Sequence, residues 1–164
     1  MAVADLIGAA VGVMLLVIVA YLLVGSTIST AEIVTNAQKA VALQDQTQMR
    51  TDFTIVNAYA YVEADQSIIN CTIQNTGSEI ISDFAHMDVI VYDNNSKDYV
   101  LYPYSSSVSA EGTWTIINRG NEVIHLSELD PGESYTLQIT TPLGTSPKWF
   151  QITTGNGIYE SKLF

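Results

Sequence analysis

Residues 6–25 of the chain, LIGAAVGVMLLVIVAYLLVG, carry no charge. As a helix rising about 1.5 Å per residue they reach roughly 30 Å, the hydrocarbon thickness of a bilayer. A cleaved secretory leader would open on a basic segment and hold a shorter apolar run. Here the first turn has Asp5 and no Lys or Arg, and no A-x-A-like site follows. The stretch reads as an uncleaved membrane anchor, with Leu6, Val11, Leu16, Val19 and Leu23 among its anchoring side chains. Gly8 and Gly12 form a G-x-x-x-G pattern that permits close helix approach, which suits a dimer of anchors or a filament core of apolar helices. Flanking Lys39 and Arg50 give only a slight pull of the C-terminal side toward the cytoplasm.

Beyond the anchor the texture turns polar, yet no Pro or Gly interrupts residues 26–50. Ile33, Ala37, Ala40 and Gln44 recur at helical spacing, and Val34, Val41 and Ala42 widen the stripe. The spanning helix is expected to continue into water as an amphipathic stalk that leans on a neighbour. Residues 1–50 thus form one part of the molecule and residues 51–164 another.

After Arg50 the helical period gives way to alternation. Strands are expected over 53–62, 67–74, 87–92, 99–102, 113–117, 122–126, 134–140 and 149–153, with a closing strand over 158–164. Turn signals fall between them at Asn75-Thr76-Gly77-Ser78, Asp93-Asn94-Asn95-Ser96, Asp130-Pro131-Gly132 and Gly155-Asn156-Gly157. Eight or nine short strands in about 114 residues fit an all-β, immunoglobulin-like antiparallel sandwich. Its usual inter-sheet disulfide is excluded, because Cys71 is the only cysteine; a buried small hydrophobe is its expected role.

Charge removes further classes. The net charge is −11, and residues 51–164 hold 14 acids against 4 bases, so nucleic acid is not an expected partner. The sequence contains no G-x-S-x-G, H-E-x-x-H, P-loop or dinucleotide glycine pattern, and neither an enzyme nor a cofactor is expected. Asp93-Asn94-Asn95-Ser96-Lys97-Asp98 begins like a calcium loop but places Lys97 where an oxygen ligand belongs. His86 and His125 read as lone structural or surface histidines, and Asp83, Asp88 and Asp93 as solvated strand ends. Asn70 and Asn94 stand in N-x-[ST] sequons, the second on a hairpin tip where a glycan fits. Tyr92, Tyr99, Tyr102 and Tyr104 cluster in sequence, and Tyr99, Tyr102 and Tyr104 are candidates for a partner contact.

An uncleaved anchor, a helical stalk and a small acidic sandwich together resemble the archaellum accessory proteins F and G, parts of the archaeal swimming machinery. The local likeness is to the accessory protein F family. It rests on Asn75-Thr76-Gly77-Ser78, Asp83-Phe84 with Met87-Asp88-Val89-Ile90-Val91, Gly112-Thr113-Trp114, Leu129-Asp130-Pro131-Gly132-Glu133 and the Gly155-Asn156-Gly157 turn. Met49-Arg50-Thr51-Asp52-Phe53-Thr54-Ile55 is closer to the start of the protein G domain. Archaellins and archaeal type IV pilins share the plan of helix and sandwich, and are made with a short basic leader that this sequence does not show unless it was removed ahead of Met1. The resemblance implies a non-enzymatic stator, single-pass in the cell membrane, with its C-terminal domain outside, beneath the S-layer. Its implied partners are the S-layer protein, archaellum motor or filament proteins, and a second copy in a homodimer or filament.

Overall fold

The computed structural model describes residues 2–63, 66–106, 110–120, 122 and 124–164. It opens with one helix, α1 (Ala2–Arg50), of 49 residues. Asp5 in the first turn and Arg50 in the last oppose the helix dipole favourably. The helix is long and apolar enough to cross a membrane. Leu6, Val11, Leu16, Val19 and Leu23 are all exposed, as expected of a helix that is apolar on every side. Where the sequence turns polar, the hydroxyls of Thr27, Thr30 and Thr35 donate to carbonyls four residues back, those of Leu23, Ser26 and Ala31. Such back-bonding lets hydroxyl residues sit in a helix without competing for its N–H groups. Residues Met1–Gln44 form one compact unit and Asp45–Phe164 another.

Among the described residues the second unit holds eight strands. They are β1 (Phe53–Glu63), β2 (Gln66–Asn75), β3 (Asp88–Asp93), β4 (Asp98–Tyr102), β5 (Thr113–Asn118), β6 (Ser134–Thr141), β7 (Pro147–Thr153) and β8 (Tyr159–Leu163). One sheet runs β1-β2-β6-β5 and the other β4-β3-β7-β8, with every paired ladder antiparallel. In the lettering of immunoglobulin domains this is A-B-E-D against C′-C-F-G. Alternation sends Ile69, Cys71 and Ile73 of β2, Tyr135, Leu137 and Ile139 of β6, Val89 and Val91 of β3, and Phe150 and Ile152 of β7 into one core. Trp114, Phe53, Tyr102 and Leu129 belong to it as well, with Ile55, Ile81, Phe84 and Met87. Cys71 lies on the strand that bears the first cysteine of an antibody domain; β7, which would bear the second, presents Phe150 and Ile152 instead. Burial pushes the Cys71 thiol up to about 12. It packs as a small hydrophobe, as its flanking residues suggest.

One expected strand does not appear among the described residues. Residue 122 is irregular, and 124–126 are bend and turn. Side chains there replace ladder partners: the Ser127 amide donates to Glu122 Oε1 at 2.7 Å, and the His125 amide to Asp130 Oδ2 at 3.2 Å. Ser127 is in the left-handed region (φ 70°), which an extended strand cannot contain. The Tyr135 hydroxyl closes the loop from below, donating toward Glu122 Oε1 and the Glu128 carbonyl. Tyrosine thus ties a loop to the strand that follows it, here between the fifth and sixth strands.

Candidate functional site

Asn75-Thr76-Gly77-Ser78 sits against the end of α1. The Ser78 and Glu79 amides donate to the Arg50 carbonyl at 2.8 and 3.1 Å, and the Thr76 and Gly77 amides to the Asp52 carbonyl at 3.1 and 2.9 Å. Arg50, Asp52 and the turn thereby form a clasp of four main-chain bonds. Asn75, fully buried, anchors it: Nδ2 donates to the Glu79 and Leu129 carbonyls, both at 2.8 Å, and Oδ1 accepts from the Gly77 amide. The backbones approach so closely that only glycine fits at 77, since a Cβ there would lie 2.5 Å from Arg50 O and Asp52 N. On the other side, Gln48 Nε2 donates to the Asn156 carbonyl and Asn156 Nδ2 to Thr51 Oγ1. Two of the turn signals in the sequence therefore grip the last helical turn. An adjoining cavity of about 330 Å³ is lined by residues that include Thr51, Ile81, Asp83, His86 and Thr154. His86 is not alone there, for its Nδ1 lies 2.7 Å from Asp83 Oδ2.

His125 is likewise paired, with Nδ1 2.9 Å from Asp130 Oδ1. That hydrogen bond and the Asp130 charge raise its pKa. Glu122 is held low by the Tyr135 hydroxyl and the Ser127 amide. These pairings were out of reach of the sequence, because a loop with no period does not reveal which side chain turns back on it. The calcium-like loop is a hairpin turn in which Asp93 is occupied by the chain itself. Its carboxylate accepts from the amides of Asn95, Ser96 and Ser146. Burial opposes ionisation, yet these donors outweigh it and hold Asp93 at about 2. Lys97 Nζ donates to Asn94 Oδ1 on the same tip.

The three candidate contact tyrosines separate. Tyr99 is 68% exposed on β4. Tyr102 is 2% exposed and faces the core, where burial and then the Asp93 charge raise its pKa; its side chain is not on a contact surface. Tyr104 is half-buried, its ring 4.7 Å from that of Trp114. Positions 99 and 102 differ by an odd number, so a strand puts them on opposite faces. Asn70 is buried too, with Nδ2 directed at the hydroxyls of Tyr59 and Tyr61, which corrects the reading of its sequon as a glycan acceptor. Asn94 lies at the β3–β4 hairpin tip.

Long apolar helix, clasp and sandwich define a class: proteins in which a long apolar helix precedes an immunoglobulin-like domain. The chain belongs to the archaeal-type flagellin family, whose profile matches residues 4–158, helix and sandwich together. An uncharacterised protein of Archaeoglobus fulgidus is 27% identical over 150 residues, covering 92% of this chain and 88% of that one. Among solved structures, the archaellum periplasmic stator protein FlaG of Sulfolobus acidocaldarius is similar at TM-score 0.48 and 23% identity, over 70% of this chain and 99% of that chain. The complex of the stator proteins FlaF and FlaG from the same organism gives TM-score 0.46 and 22% identity, over 68% and 87%.

Proposed function

We propose that the chain is a non-enzymatic archaellum component held in the cell membrane by residues 6–25, with its sandwich outside the membrane, bound to the S-layer and acting as a fixed part against which the motor works. The clasp carries this reading. A single helix in a fluid bilayer resists little torque, so the fixed point must be the sandwich, and a force reaches the sandwich only through the end of α1. Four main-chain bonds and the buried Asn75 make that end part of the domain rather than a loose linker. The family match across helix and sandwich and the resemblance to the accessory proteins F and G support the same assignment.

The strongly acidic sandwich favours a basic patch on its S-layer partner, with attraction that weakens as salt rises. Purified full-length protein in detergent, incubated with S-layer extract at two ionic strengths, is expected to be retained, less so at the higher salt. No retention at either salt, with the fold verified, overturns the S-layer assignment. A second reading, a filament subunit with α1 packed in a helical core, is favoured by the flagellin-type family match. Copy number and N-terminal sequencing of the native protein separate the two: filament amounts of a processed chain support the second.

A further inference from the structure

Side chains on the outer face of the first sheet stand in rows set by the strand registers. Tyr59 lies opposite Asn70, Asn70 opposite Gln138 and Gln138 opposite Thr115. In the row to one side Thr72 lies opposite Thr136; in the row to the other, Tyr61 lies opposite Ile68 and Ile68 opposite Thr140. None of these positions is charged, although the sandwich holds 14 acids against 4 bases, and the charge that β1 carries, Glu63, is one row past Tyr61. Ile68 and Asn70 alternate with the core residues Ile69 and Cys71 and so point outward, yet they are only 7% and 6% exposed. Tyr59 and Tyr61, on the edge strand, cover them. The Asn70 amide donates to both hydroxyls, at 3.2 and 3.4 Å, and the ring centroids are 5.9 Å apart with planes inclined by 26°. Tyr59 itself stays 51% exposed, so its ring is open to a ligand. Beneath the rings Asn70 Oδ1 is buried and meets no donor among the described residues. A buried acceptor without a partner carries a desolvation cost and points to a donor that arrives from elsewhere.

We propose that this face binds a short neutral oligosaccharide, whose C–H faces lie on the two tyrosine rings and whose hydroxyls bond the Asn70 and Gln138 amides and the threonines beside them. The chemistry selects the ligand by elimination. The domain's excess of acid repels an anion, and the rows hold no carboxylate to receive a cation. The main-chain N–H and C=O groups of a paired sheet are engaged in its ladders, so an extended peptide finds no backbone partners on the face; it would need an edge. A purely apolar partner would bury the amides and hydroxyls unpaired. A sugar meets these conditions together. Each of its hydroxyls both donates and accepts, as Thr, Asn and Gln side chains do. Its C–H surface is the apolar match for an aromatic ring that keeps a polar tip. A sugar hydroxyl is also the donor that Asn70 Oδ1 lacks; the tyrosines above it stand on the outermost strand, where a ring can turn aside to admit it. From β1 to β5 the face spans three strand spacings, about 14 Å, room for a few linked sugars rather than one. The inference goes beyond the S-layer reading and does not depend on it, since it concerns sugar and protein alone.

The test is titration of the full chain with neutral trisaccharides of glucose, galactose and mannose, and with a trimer of a uronic acid as the charged counterpart. The protein is held in micelles of a zwitterionic detergent, because a sugar head group would compete. Binding of at least one neutral trimer is expected, with the same affinity at low and high salt, and the uronic acid trimer should bind about tenfold more weakly or worse. Tyr59→Ala should weaken the neutral trimer about tenfold, whereas Tyr59→Phe, which keeps the ring, should stay within about twofold of wild type. Gln138→Ala should weaken it as well, through the lost amide. Circular dichroism and a thermal melt verify the fold of each variant. No binding of any neutral trimer overturns the proposal and leaves the face to a protein partner. Equal binding by wild type and Tyr59→Ala, or a preference for the charged trimer, overturns it too.

Discussion

Gly77 illustrates how much one position can decide. It is not in a left-handed turn; it is required because two stretches of main chain meet where its side chain would be. Gly77→Ala should destabilise the sandwich by about 1–3 kcal/mol, the usual range for forcing atoms into filled space, as read by denaturant unfolding of the β signal. Asp93 acts through charge. Its folded pKa of about 2 lies below the ordinary carboxylate value near 3.9, so its contribution is complete above about pH 4 and is lost as pH falls toward 2. The melting-temperature advantage of wild type over Asp93→Ala should therefore shrink through that window and stay level from pH 5 to 7. An advantage independent of pH would show that the carboxylate charge is not what holds the turn. Cys71, buried and with its thiol at about 12, should resist iodoacetamide at pH 8 in the native protein and react only in denaturant.

The loop between β5 and β6 is the element in which side chains do most of the backbone's bonding. Tyr135→Phe removes the donor to Glu122 and to the Glu128 carbonyl, and a loss of about 1–2 kcal/mol is expected. His125 has a raised folded pKa, so the bond to Asp130 contributes fully below about pH 6.5 and fades as pH rises through the raised value. Exchange protection of the His125 amide, corrected for intrinsic rates, should fall over that rise in wild type but not in His125→Asn. What was legible in the sequence follows from this contrast. Strands such as 67–74 and 134–140 declare themselves, because a core on one side writes period two into the chain. Residues 122–126 carry strand-like composition but bond through Glu122 and Asp130, and composition does not register that. The turns at 75–78 and 155–157 were visible as turns, while their grip on the helix end depends on long-range approach. Tyr92 and Tyr99 share a hairpin that the sequence shows, but Trp149 lies opposite Tyr92 only through the β3–β7 register.

At the scale of the whole chain, residues 45–164 should fold alone, since they form one compact unit with a continuous core. A β-dominated circular dichroism spectrum with a cooperative melt is expected; a helical spectrum or a gradual melt would move the boundary. A 51–164 fragment should be less stable than 45–164 by about 1–3 kcal/mol, because it gives up the Arg50 carbonyl and Gln48 partners of the clasp. The ladder of β1 on β2 adds a mechanical consequence. β1 begins at the residue after Asp52 of the clasp and pairs with β2 from Phe53↔Asn75 to Glu63↔Gln66, with one extra residue at Val56. A pull entering at Phe53 along the strand loads these bonds in shear, all at once, whereas a pull across the strand would unzip them singly. Rupture force should therefore depend steeply on the direction of loading.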